Sequence, residues 1–224
     1  MPLADQMDAG AIKAVLVSDS RRLVYVSGAP GSGKTSLAVP LAAALGYALL
    51  AKDRIKETLH DAFGAPEPDR AWSRRLGGAA MELLWVLAAD APAVVIEANF
   101  RPRSEYERAK LSRLAARPVE VHCACPPGLA LQRYNARITH PVHVVTTLRP
   151  EAMAEYDRPV GIGALVTVDT TVAVDVNAVA TVVRAHHDGV QALTLRIGGS
   201  RPDDMRLSGT RPTPQPGSEA PRPR

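Results

Sequence analysis

The stretch Gly28-Ala29-Pro30-Gly31-Ser32-Gly33-Lys34-Thr35 has the spacing G-x-x-x-x-G-K-[ST], and its flanks restrict the folds open to the chain. The apolar run Leu23–Ser27 before it reads as a buried strand. Behind it Ser36–Leu45, with Leu37, Ala38, Leu41, Ala42 and Leu45 at helical spacing, reads as a helix. Strand, glycine loop and helix in that order make a phosphate cradle. The glycines let successive N–H groups turn inward, and the helix offers the positive end of its dipole to the same anion. Gly28, Ala29, Pro30, Gly31, Ser32, Gly33, Lys34, Thr35 and Ser36 are therefore expected to hold the phosphates of a nucleotide. Lys34 would reach the β and γ phosphates and the Thr35 hydroxyl would ligate Mg²⁺.

The rest of the chain alternates between strand-like and helix-like stretches, the pattern of a parallel sheet covered by helices on both faces. Strands are predicted at Leu23–Ser27, Ala48–Ala51, Ala93–Ala98, Val119–Cys123 and Ala164–Val168. Helices are predicted at Ser36–Leu45, Arg54–Ala62, Ala71–Ala88, Arg103–Ala116, Gly128–Arg137 and Asn177–Ala185, with a short one at Asp8–Val17. Residues 1–20 are then an N-terminal helical extension, 21–197 one domain, and 198–224 a Pro- and Arg-rich tail with too few aliphatic residues to repay its ordering entropy, expected to be disordered.

With 224 residues the chain can bury a core without metal or disulfide staples. No apolar run approaches the roughly 20 residues a membrane helix needs, and Met1–Gly10 lacks the basic and apolar regions of a leader, so a cytoplasmic protein with no membrane partner is expected. The formal net charge of +4 is mild and aromatic residues are only 4%, so no stacking platform for single-stranded nucleic acid is visible. Cys123 and Cys125 point to one face of a strand, where a pair of small buried side chains fits better than a metal site, whose spacing is usually wider.

Ligands of such sheets bind beyond the carboxyl ends of the strands, and several chemistry-bearing residues follow strand ends. Asp53 is placed to meet the γ-phosphate and hydrogen-bond an acceptor hydroxyl, or to cap the next helix. Glu97 closes the third strand, where an acidic residue can orient Mg²⁺, or simply meets solvent. Asn99 holds substrate or makes a turn. Arg133 and Arg137 lie four apart on one helical face, either folding over the phosphates or forming a solvated basic face.

These motifs in this order resemble the small P-loop kinases that include the 5′-kinase domain of polynucleotide kinase, chloramphenicol phosphotransferase and zeta toxins. The similarity runs from about Leu23 to His187. It rests on the loop at 28–35, Lys52-Asp53-Arg54-Ile55-Lys56, Ile96-Glu97-Ala98-Asn99-Phe100, Arg133-Tyr134-Asn135-Ala136-Arg137 with His140-Pro141-Val142-His143, and Val168-Asp169-Thr170-Thr171. The resemblance implies a P-loop NTPase three-layer α/β sandwich, with a mostly parallel five-stranded sheet and a small arginine-bearing lid. It implies Asp53 as general base, Lys34 and Arg133 as γ-phosphate clamps and Arg137 as a second lid cation, all serving ATP. Substrate contacts would come from Asp53, Lys56, Glu97 and Asn99, and Mg²⁺ would sit on Thr35 and Glu97. Polynucleotide kinase follows its catalytic Asp with an Asp and, three positions on, an Arg. Here Arg54 and Lys56 stand there, and Glu97 replaces an Asp. The expected activity is transfer of the ATP γ-phosphate to a hydroxyl of a small molecule. A polynucleotide or nucleoside 5′-kinase and a regulatory ATPase without acceptor are the competing readings.

Overall fold

Leu23 and Tyr25 point to one side of their strand and Val24 and Val26 to the other, and all four are fully buried. A strand apolar on both faces belongs in the middle of a parallel sheet. The computed structural model, which describes residues 21–64, 69–144, 147–189 and 195–197, places it there. β1 (Arg22–Ser27) lies between β3 (Ala93–Glu97) and β4 (Val119–Ala124). β2 (Ala48–Ala51) flanks β3, and β5 (Ala164–Asp169) flanks β4. Every pairing is parallel, with Val24 opposite both Val95 and Val119. The five predicted strands are all present, and a short β6 (Leu195–Ile197) extends the sheet beyond β5, giving the order β2-β3-β1-β4-β5-β6. Three residues were too few to stand out as a strand in the sequence. The predicted extension 1–20, its helix Asp8–Val17 and the tail 198–224 lie outside the described residues.

Helices α1 (Lys34–Leu45) and α6 (Val176–His187) cover one face, burying Leu37, Leu41, Val179 and Val183 against Val24, Val26, Val121 and Val166. On the other face α3 (Arg70–Asp90) and α4 (Glu105–Leu114) bring Leu84, Trp85 and Leu111 onto Leu23, Tyr25, Val94 and Ile96. Helix α2 (Lys52–Phe63) packs on α3. Helix α5 (Pro127–Ala136) and the 3₁₀ helix Pro150–Tyr156 lie above the carboxyl ends of β4 and β5. Helix starts follow local chemistry: Asp69 accepts from Trp72 N, Asp175 from Ala178 N, and Ser104 from Glu107 N. Among the described residues no helix is long and apolar enough to cross a membrane.

Candidate active site

β1 stops at Ser27 and the chain turns through the glycine loop into α1, of which Lys34 is the first residue. Gly28 and Gly31 have φ of +132° and +80°, and both are hemmed in by backbone. A Cβ on Gly31 would lie 2.1 Å from the Ala130 carbonyl oxygen, and one on Gly28 would lie 2.8 Å from that of Cys123. Any other residue would push the loop off β4 and α5. No side chain caps the start of α1, so its first N–H groups face the loop's concavity. A phosphate oxygen is the kind of acceptor that would satisfy them.

Lys34 is buried, and its Nζ donates to the Ala29 carbonyl at 2.8 Å. Burial draws its pKa down, with the Glu97 carboxylate pulling the other way. Glu97 ends β3, is itself buried, and accepts from Thr35 Oγ1 at 3.2 Å. Burial pushes its carboxyl up, against the attraction of Lys34. A hydroxyl and a carboxylate side by side suit a hard cation such as Mg²⁺, which takes one or two protein oxygens and completes its shell with phosphates and water. Among the described residues no group of three His, Cys, Asp or Glu offers a fuller metal cage.

Asp53 is the second residue of α2 and not its cap; the cap position is Ala51. Its carboxylate pairs with Lys52 Nζ at 2.9 Å. Burial raises its pKa, but Lys52, and behind it His143 and Arg137, outweigh that and hold it below the usual carboxylate value. Arg133 donates to the Thr170 carbonyl at 3.0 Å, and Arg137, just past α5, lays its guanidinium over the Tyr134 ring at 4.4 Å.

A single cavity of about 550 Å³ brings these residues together. Lys34, Thr35, Asp53, Glu97, Asn99, Arg133 and Arg137 all line it, drawn from four separate chain segments. Both arginines line the cavity, Arg133 half-buried on α5 and Arg137 exposed, just past the end of that helix. Lys56 departs from expectation. It lies buried against α3, one turn along α2 from Asp53, with Nζ donating to Ser73 at 2.7 Å, and it does not line the cavity. Four positions separate Lys56 from Lys52, one helical turn along the face that packs on α3.

Sequence reasoning missed three features. Val172 and Val174 form the far wall of the cavity together with Thr170, which the sequence marked only as a residue following the fifth strand and whose Oγ1 donates to the Ser32 carbonyl at 2.7 Å. Second, the segment after α5 is tied to α2: His143 Nε2 donates to Glu57 at 2.8 Å and His140 Nε2 to Asp61 at 3.1 Å. Val142 N donates to His140 Nδ1, which fixes that tautomer. Third, Glu120 in mid-β4 is completely buried and carries a polar knot beside the loop. It accepts from Ser27 Oγ at 2.5 Å, from Val160 N and Gly161 N at 2.8 Å each, and from Tyr25 OH at 2.9 Å. Nothing local in the sequence marks those donors, all of which are 40 or more residues away.

A glycine loop wrapped around the start of α1, at the carboxyl edge of a parallel sheet with β1 in its centre, defines a P-loop nucleotide-binding protein. A family model described as an AAA domain matches residues 23–159, more than half of the chain. The chain belongs to this family and, with its neighbours, to the small P-loop kinases. It is similar to a candidate kinase of known structure from Chloroflexus aurantiacus J-10-fl, at 30% identity over 75% of this chain and 99% of that one, with a TM-score of 0.65. A sugar kinase from Janibacter sp. HTCC2649 shares 20% identity over 68% of this chain and 87% of that one (TM-score 0.46). Acinetobacter baumannii shikimate kinase shares 18% over 77% and 95% (TM-score 0.45). Among curated proteins none matches the chain significantly.

Proposed function

We propose that the protein is an ATP-dependent kinase that transfers the γ-phosphate of ATP to a hydroxyl of a small molecule. The observation that supports this is the meeting, in one cavity, of a phosphate loop, an ionised carboxylate and two arginines from a different part of the chain. Transfer to an alcohol needs a group that aligns the hydroxyl and takes its proton. Asp53, held ionised by Lys52, has that role. As the acceptor oxygen bonds to the γ-phosphorus and the bond to the β-phosphate oxygen breaks, the hydroxyl proton passes to the Asp53 carboxylate and ADP leaves. Lys34 and Arg133 neutralise the charge spread over the γ-phosphoryl oxygens, and Arg137 closes over them from the α5 side. Thr35 and Glu97 would hold Mg²⁺, which supplies further charge neutralisation on the phosphates. Asn99, at the rim, orients the acceptor.

The test is to incubate the protein with γ-labelled ATP and pools of hydroxylated metabolites, then repeat with Asp53→Asn. Label transfer is expected to drop about 10²- to 10⁴-fold in the variant, with Mg·ATP binding by calorimetry retained. Equal transfer by both proteins would remove Asp53 from the base role.

A further inference from the structure

Helix α3 contains two adjacent glycines in its interior, Gly77 and Gly78. Glycine there weakens a helix, and neither residue has a positive φ that would demand it. What they provide is room. Both line a second cavity, of about 480 Å³, within the size range of small-molecule sites. A Cβ on Gly78 would meet nothing within 4 Å, and one on Gly77 would lie 3.8 Å from Lys52 Nζ. This cavity shares Asn99 with the phosphate cavity. Its wall residue Lys52 is the one bonded to Asp53, which itself lines the phosphate cavity and not this one, so a molecule bound here reaches the carboxylate by extending a hydroxyl past the shared Asn99.

The charges of the wall select the ligand. Its ionisable side chains include two cations, Lys52 and Arg101, and three carboxylates, Glu82, Glu107 and Glu155. Both cations are already engaged: Lys52 with Asp53, and Arg101 with Glu107 at 2.8 Å and Glu155 at 3.9 Å. Glu82 takes the Tyr106 hydroxyl and lies 3.6 Å from Lys110. Lys56, just beneath Gly77, is bonded to Ser73 and does not line the wall; an anionic ligand would therefore find no wall cation without a carboxylate partner and would have to break an existing pair to gain a counter-ion. A ligand carrying hydroxyls exchanges hydrogen bonds with the same carboxylates, Asn99 and Tyr106 without that cost. Resting on the kinase reading above, we propose that the cavity floored by Gly77 and Gly78 is the acceptor site and that it takes a non-anionic polyol of about monosaccharide size. Neutral sugars and amino sugars fall in this class; sugar acids, phosphorylated sugars and 5′-hydroxyl oligonucleotides do not.

Two measurements test it. The full-length protein is given γ-labelled Mg·ATP with separate panels of neutral and amino monosaccharides, the matching sugar acids, and a 5′-hydroxyl oligonucleotide. Label is expected only in the first panel, and Glu155→Lys, which reverses one wall charge, is expected to extend it to the acids. With the best acceptor, Gly77→Leu is expected to raise KM on the order of tenfold or more, while Gly77→Ala, whose Cβ fits at ordinary contact, stays near wild type; Mg·ATP affinity is unchanged in both. Absence of Mg·ATP binding would overturn the kinase reading itself. Bound ATP with label going only to acids or oligonucleotide, or to no polyol, would overturn the acceptor assignment, as would a Gly77→Leu variant with unchanged KM.

Discussion

Replacing Glu120 by glutamine isolates the value of the buried knot, because the side chain keeps its volume and loses only a charge and one acceptor atom. Oε1 receives Ser27 Oγ and Val160 N, while Oε2 receives Gly161 N and lies within reach of Tyr25 OH. A glutamine oxygen placed at Oε1 keeps the first pair. Tyr25 adapts, since its hydroxyl can give its proton to the Ile162 carbonyl at 2.7 Å and accept from the new NH₂. Gly161 N–H cannot; it faces another donor. One buried donor left unpaired costs about 1–3 kcal/mol, and turning two charge-assisted bonds into neutral ones costs roughly 1 kcal/mol each. Relief from burying a charge works the other way, so the net expectation is a loss of about 3 kcal/mol. In a domain of this size that lowers Tm by on the order of 6–12 °C. Urea denaturation at an unchanged m-value is the assay, with hydrogen exchange at Val160 and Gly161 as the local readout. A variant as stable as wild type, or more stable, would show that desolvation of the carboxylate outweighs its hydrogen bonds and would refute the reasoning.

Two further expectations follow from the site. Asp53 has a folded-state pKa below its unfolded value of about 3.9, so its ionised form contributes stability that is present above that pH and lost as pH falls through the folded value; Asp53→Asn should therefore lower Tm at pH 7, with the gap to wild type narrowing as the pH approaches 3, and a gap that widens in acid would contradict this. The His143–Glu57 pair is half-buried and should show a coupling of about 0.5–1 kcal/mol in a double-mutant cycle with His143→Ala and Glu57→Ala, read by denaturation; additive losses would mean that the contact does not tie the segment to α2.

What the sequence made legible was what local pattern can encode. β1 and β3 read as strands because a parallel strand buried on both faces is apolar at every position, and the loop is legible because its glycines answer a backbone demand at fixed spacing. The position of Asp53 was legible only as a place after a strand. That α2 starts at Lys52, so that the carboxylate pairs with its neighbour and caps nothing, depends on how the helix packs on α3. The place of Lys56 was lost for the same reason, since one turn further along α2 the same side of the helix has left the cavity and packs on α3. Glu120 reads as one polar letter in a strand; its partners come from β1 and from the segment before β5, and no window of sequence contains them together.

β1 has no hairpin partner. Its neighbours are β3 and β4, the loop that follows it rests on Ala130, and Ser32 is tied to Thr170. A growing chain leaving the ribosome therefore lacks the last support of its glycine loop until about three-quarters of the protein has been made, because each of these supports is encoded later than the loop and must close a long span to reach it. Shortened chains ending before Thr170 would hold the whole binding motif and still lack the far wall that closes it.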